Sequence, residues 1–366
     1  MINRLAKTCF LLVMLLAASC VEQISFPIDK LEKERLIVSG GISDLDEPQV
    51  VFLSVTTSEA REPEFSGGYF TLNDLPRPVR NATVSVRNEK NGAAYFFRET
   101  LAGRYELAEG NVFSPGESYF LQIEIAGQTY RSRPQVMPEI IGSDLLSYEF
   151  DQDQVGTNPE VNVVKIRSQV TLPEANGNYY LRWSVDEAYY WDLTFFPNPF
   201  NVPPPQCYVF DFPDPERITL LDGDLVNNPG GEAEQLLAVR LVDQSFLSRH
   251  YFNVRQLSIS EEAFTYWGKI RTLVNNTGSV FDTPPAPVRG NLYNVNDPEE
   301  VVLGFFEVAK GNMTRIYTTR ADVPFFLEKV CEYLPNKRRD QYEPTCLSCS
   351  VFPNSTNTAP KWWFDQ

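Results

Sequence analysis

Ala82-Thr-Val-Ser-Val-Arg87, followed by Asn91-Gly92 and Tyr95-Phe-Phe97, is the stretch that decides the fold. Residues 82–87 alternate apolar and polar side chains, the period of a strand with one buried face. Asn-Gly accepts the two positive φ angles of a type I′ turn, so 82–97 is expected to be a β-hairpin. Working outward, the same signals recur. Short β-branched runs occupy 36–42 and 50–56, and Gly103-Arg-Tyr-Glu-Leu107 is a further strand. Pro115-Gly116 marks the turn before a strand at 119–125, and Ala126-Gly127 returns the chain through 128–131. About seven strands in ~100 residues, with evenly placed turns, define an immunoglobulin- or fibronectin-like β-sandwich over residues 35–137.

Pro134 to Pro138 marks a boundary, and residues 138–366 are expected to form a larger, β-rich domain. Its strands fall at 161–171, 179–185, 236–242, 251–257, 301–309 and 314–319. One prominent helix interrupts them at about 259–275. Ser258 and Glu261 have capping-box spacing, and Ala263, Tyr266, Trp267, Ile270 and Leu273 form an apolar stripe of helical period. Such a stripe is read as core packing. The whole chain is therefore mainly β.

The first nineteen residues are of another kind. Arg4 and Lys7 precede an apolar run from Phe10 to Ala18, and Ala17-Ala18-Ser19 leads onto Cys20. That order is a secretory leader, with an apolar run far short of the ~20 residues of a membrane span. Cysteine directly after the small residues resembles a bacterial lipobox, in which Cys20 takes the lipid. Residues 20–34 then form a polar tether. Subtracting Arg4 and Lys7 from 32 basic residues leaves 30 against 48 acidic ones. So acidic a body repels nucleic acid and anionic headgroups, and the lipid on Cys20 is the expected attachment to the bilayer. With Cys20 lipidated, Cys207, Cys331, Cys346 and Cys349 remain, an even number in an oxidising compartment. Two disulfides are expected, in any of three connectivities, ahead of a zinc or redox role for Cys346-Leu-Ser-Cys349.

Several motifs together resemble a known family. Ser258-Ile-Ser-Glu-Glu-Ala-Phe-Thr-Tyr-Trp267, Ser279-Val-Phe-Asp-Thr-Pro-Pro-Ala-Pro287, Gly290-Asn291 and Val302-Leu-Gly-Phe-Phe306 are similar to a Bacteroidota lipoprotein family. It is catalogued as domain of unknown function 4249. Gly103-Arg-Tyr105, Gly116-Glu-Ser-Tyr-Phe-Leu121, the pair Cys346 and Cys349, and Pro360-Lys-Trp-Trp363 extend the likeness over most of 20–366. The resemblance implies an outer-membrane lipoprotein, frequently encoded beside a TonB-dependent receptor, with no established enzymatic activity. Only Glu22 is acidic just after Cys20, so cell-surface display is preferred over the periplasmic face on thin grounds.

Chemistry is sparse. His250 is the single histidine, and no G-x-S-x-G elbow accompanies a serine, so it is read as structural rather than catalytic. Asp151 and Asp153 open like a calcium loop, but Val155 and Asn162 stand where further ligands belong. No metal site, nucleotide fingerprint or other cofactor motif is expected. One segment invites a binding role. Between Tyr189 and Pro215 stand nine aromatics and seven prolines, and Tyr189, Tyr190, Trp191, Phe195, Phe196 and Phe200 are the candidate contact residues. The competing reading buries these rings, with Cys207 pinning the loop. The chain is thus expected to act by binding, as an accessory of TonB-dependent uptake. An independent surface adhesin or glycan-binding lipoprotein is the alternative, and a carboxylate hydrolase comes last.

Overall fold

The computed structural model describes residues 34–56, 63–66, 69–72, 77–108, 112–154, 160–172, 179–214, 217–223, 231–275 and 288–364. The leader, Cys20, most of the tether and the 283–287 proline turn lie outside them. The chain divides into two compact units. One contains a small antiparallel hairpin, and the other comprises residues 35–56 and 74–366.

The larger unit begins with β1 (Leu36–Ser43) and β2 (Gln49–Val55); the hairpin of the smaller unit is β3 (Pro63–Ser66) with β4 (Tyr69–Leu72). Next come β5 (Arg77–Pro78), β6 (Thr83–Asn88), β7 (Ala94–Leu101) and β8 (Arg104–Leu107). β9 (Ser118–Ile125), β10 (Gln128–Ser132) and β11 (Gln135–Val136) complete the first half. Val38, Val51 and Leu53 from β1 and β2 meet Val84, Val86, Leu121 and Ile123 from β6 and β9 in one dry core. Their alternation with exposed neighbours is what the period-2 pattern required, and each fully buried Val, Leu or Ile contributes roughly 1.5–3 kcal/mol.

The β6–β7 hairpin forms as expected, with a different turn. Only Gly92 takes a positive φ there, and the Asn88 side chain accepts from the backbone N–H of Lys90 and of Asn91. That side-chain bond holds a longer loop than a two-residue type I′ turn. The two consecutive positive φ angles occur instead at Ala126 and Gly127, between β9 and β10.

The second half supplies β12 (Ser143–Gln154), β13 (Glu160–Thr171), β14 (Tyr180–Tyr190), β15 (Tyr208–Asp211), β16 (Thr219–Asp222), β17 (Glu232–Leu241) and β18 (His250–Ile259). Helix α1 (Glu261–Asn275), β19 (Leu292–Asn294), β20 (Leu303–Thr318), the short α2 (Pro344–Leu347) and β21 (Ser355–Thr356) follow. β12, β13 and β17 make a three-stranded sheet. Its Val164, Ile166, Leu237 and Ala238 pack on Trp183, Phe252 and Val254 of β14 and β18. On the other face of β14, β18 and β20, α1 places Ala263, Phe264, Tyr266 and Trp267 against Tyr180, Leu257 and Phe305. The helix matches its expected span, but its cap is Ser260, whose Oγ accepts from Ala263 N–H. Ser258 stays paired in β18, because the buried run of that strand continues to Ile259.

A continuous hydrogen-bonded path joins the two halves across the Pro134–Pro138 segment. It runs β19-β10-β9-β6-β7-β8-β2-β1-β20-β18-β14-β15-β21. The first part of β20 lies parallel to β1, from Ile37↔Leu303 to Ser43↔Ala309, and the second part lies antiparallel to β18. Phe306 and Val308 thereby enter the core of the first half. The crossing is tight. Gly304 has φ +91°, and a Cβ there would sit 1.8 Å from the Val38 carbonyl oxygen. Gly304→Ala is therefore expected to lower stability by about 3 kcal/mol or more, combining left-handed strain with a backbone clash. Urea unfolding monitored by tryptophan fluorescence checks this; an unchanged midpoint would contradict the close approach.

Candidate functional site: a charged groove across the sheet

Strand alternation puts Arg182, Ser184 and Asp186 of β14 on one face, beside Arg255 and Leu257 of β18 and Glu307 and Ala309 of β20. Ser39 and Gly41 of β1 and Phe52 of β2 continue that face. Beyond the end of α1 these side chains floor an open groove of about 920 Å³. Gly41 keeps the floor low, since a Cβ there would come within 2.5 Å of the Glu307 carbonyl oxygen.

Two sets of ion pairs cross this floor. Arg182 meets Glu307 through Nη2–Oε1 at 2.6 Å and Nε–Oε2 at 3.2 Å. Trp267 Nε1 donates to the same carboxylate at 2.7 Å, and the guanidinium lies 4.6 Å from the Trp267 ring centroid. Arg255 Nε reaches both oxygens of Glu47, at 2.9 and 3.0 Å, and its Nη1 pairs with Asp186. Burial works against the charge of Arg255, but Asp186 and Glu47 outweigh it and hold its pKa above the ordinary arginine value. Paired this way, the planar groups are fixed in place before any ligand arrives. Phe52, Leu101 and Phe212, which are 50%, 65% and 60% exposed, supply apolar lining to the same groove.

The aromatic and proline-rich segment is divided by the structure. Tyr189 and Trp191 are buried: Tyr189 stacks on His250, and Trp191 Nε1 donates to the Thr345 carbonyl. Both belong to the core, because the C-terminal tail closes over them. Tyr190 is half-buried against Tyr208. Phe195 is half-buried, and so is Phe196, which packs edge-on to Tyr333 and Tyr342. Phe200, at 86% exposure, is the one ring of the six that is left open. Disulfides fix the arrangement: Cys207–Cys349 and Cys331–Cys346. Cys346 and Cys349 are not bonded to each other, so their spacing marks neither a redox pair nor zinc ligands.

His250 and Glu187 form a second charged centre, buried on the opposite face of the sheet. Nε2 lies 3.1 Å from Glu187 Oε2, and Arg240 Nε lies 3.0 Å from both Glu187 oxygens. The imidazole stacks on Phe246 at 4.0 Å, fully closed off from solvent. Burial opposes ionisation of Glu187, but the His250 and Arg240 interactions prevail and hold its pKa below the usual range. Asp151 and Asp153, on β12, share the Lys165 ammonium at 2.7 and 2.9 Å. Among the described residues no cluster of His, Cys, Asp and Glu is placed to hold a metal ion. No helix there is long and apolar enough to cross a membrane.

Fold and groove together define a mainly β protein with an open, rigidly lined face. The chain belongs to the family described as Domain of unknown function (DUF4249), whose model matches residues 21–315. No curated protein matches it. Among solved structures, a "Biofilm associated protein - BSP domain" aligns at 6% identity and TM-score 0.18, covering 77% of this chain and 58% of that one. The chain thus spans less than two thirds of that protein, and so low a TM-score carries no argument about fold or function.

The sequence pointed to the aromatic segment and missed the groove, whose residues come from positions 39 to 354. Two measurements test the packing described. The Cys207–Cys349 link closes a loop 142 residues long and Cys331–Cys346 one of 15. Cys207→Ser should cost about 5 kcal/mol and Cys331→Ser about 3 kcal/mol on the chain-entropy account; equal, negligible losses in thermal unfolding would contradict it. For Glu187, the folded pKa lies below the unfolded value of ~4.3. Its stabilisation is present above that value and is lost as pH falls through the folded pKa. Glu187→Gln should lower stability at neutral pH and flatten its decline between about pH 4.5 and pH 3; urea midpoints measured across that window decide.

Proposed function

We propose that this is an outer-membrane lipoprotein, anchored through a lipid on Cys20, that holds a ligand in the sheet groove and serves a TonB-dependent uptake system. The observation that carries the binding role is the groove itself. Each of its three core carboxylates, Glu47, Asp186 and Glu307, is tied to an arginine, and apolar side chains are left open beside them. Groups committed to one another in this way suit recognition better than proton transfer, which needs an acid or base free to exchange. A binding role without catalysis also fits the burial of His250. The transporter partner and the membrane attachment rest on the leader pattern and on the family resemblance. Exposed Phe200 at the tip of the proline-rich loop offers a compact apolar contact for such a partner.

The exposed aromatics also favour a second reading, an independent surface adhesin or glycan-binding lipoprotein. Affinity purification of the full chain from detergent-solubilised outer membranes separates the two. The uptake reading expects a β-barrel receptor to co-purify, less of it with Phe200→Ala, and Cys20→Ala protein to leave the membrane fraction. Recovery without any receptor would sink the uptake reading. Membrane retention of Cys20→Ala would sink the anchor.

A further inference from the structure

Resting on the binding role just described, we infer that the groove takes a neutral oligosaccharide, laid across the strands from Phe52 toward Phe212. Four observations lead there. The first is charge. In a chain of net charge −16, the groove sets Arg104, Arg182 and Arg255 against Glu47, Asp186, Asp211 and Glu307. An ionic ligand would have to displace a partner from a partly buried pair and leave the other ion uncompensated, which is costly. A neutral ligand leaves those pairs intact.

The second is hydrogen-bonding capacity. A guanidinium has five N–H donors, and a carboxylate has about four acceptor sites. The Arg182–Glu307 contact uses two donors of Arg182, so N–H groups and lone pairs remain side by side. A hydroxyl both donates and accepts, so neighbouring hydroxyls on a ring match alternating donors and acceptors. Phosphate and carboxylate ligands only accept, and they match half of the floor. Ser39, Ser184 and Asn354 extend the same neutral, two-way character.

The third is the lining. Phe52 and Phe212 are each at least half exposed and present π faces suited to the C–H face of a sugar ring. The fourth is what the floor lacks. It is the face of a sheet whose backbone N–H and C=O groups are already spent in the β14–β18–β20–β1 ladders. A peptide recognised by strand addition needs a free backbone edge, which this surface does not offer. Six strands from β2 to β15, at ~4.8 Å spacing, make a floor about 24 Å across. That length, open above, suits several linked rings better than a single one.

Isothermal titration calorimetry of the full chain against maltohexaose, cellohexaose, xylohexaose and mannohexaose, with oligogalacturonate as the anionic counterpart, tests the inference. At least one neutral hexasaccharide should bind. Phe212→Ala, which trims an exposed ring, and Ser39→Trp, which fills the floor beside Phe52, should each weaken binding about tenfold or more. Melting temperatures should stay unchanged, and if Ser39→Trp fails to fold, Phe212→Ala decides alone. Affinity should hold between about 0.05 and about 0.5 M NaCl, since screening acts on charged ligands. Binding of none of the neutral probes, binding indifferent to Phe212→Ala, or salt-sensitive binding of oligogalacturonate alone would overturn the inference. Its failure is separable from that of the uptake reading. A receptor that co-purifies with a chain binding no hexasaccharide overturns only the ligand class. Hexasaccharide binding with no receptor recovered overturns only the uptake partner.

Discussion

The parallel register of β1 with β20 is the constraint on which the rest depends. A strand 267 positions later in sequence, from Ile37 to Gly304, lies beside one of the first, and the contact is made backbone to backbone at Gly304 and Val38. Because β20 is sixteen residues long, its far half pairs with β18 while its near half completes the first core. Both halves of the chain are tied to one strand. The groove is a by-product of this arrangement: Ser39 and Gly41 come to lie next to Glu307, and Glu307 is close enough to bind Arg182.

Strand identity was largely legible from local pattern. The alternation in Thr83–Asn88, the β-branched runs of β1 and β2, and the apolar stripe of α1 each follow from side-chain periodicity, which a single sequence displays directly. Turn chemistry was less so. Asn91-Gly92 carries the two-residue signature, yet Asn88 holds a longer loop through its own side chain, an interaction made between neighbours once the backbone has already bent. The cap of α1 fell to Ser260, because tertiary pairing kept Ser258 in its strand. Both differences show long-range or side-chain bonds overriding a local preference.

Sites were harder to read than elements. Proline and aromatic density drew attention to 189–215, and density is a property of sequence neighbours. Burial is not. Trp191 and Tyr189 are covered by a tail more than 140 residues away, held there through Cys349 and Cys346. The groove is assembled from six strands, with one or a few residues contributed by each, so no window of sequence contains it. Its one advance signal was the mixture of Arg, Asp, Glu and Ser on the outward positions of strands that otherwise read as core. The buried pair of His250 and Glu187 sits on the opposite side of the same strands, so adjacent residues Asp186 and Glu187 serve different ends.

The late arrival of β20 bears on how such a chain is made. Until residue 318 is available, β1 has one ladder partner, β2, and its other edge stays unpaired. Open edges recruit foreign strands, and contacts so remote in sequence close slowly. The disulfides come later still, since Cys346 and Cys349 lie close to the end of the chain. A chain threaded through a membrane N-terminus first would therefore remain incomplete for nearly its whole passage. It would depend on escorts that shield naked strands, and it would lock its tail down only once oxidation is possible. Maturation of this protein is then a matter of timing as much as of stability, with the final sixty residues acting as the clasp.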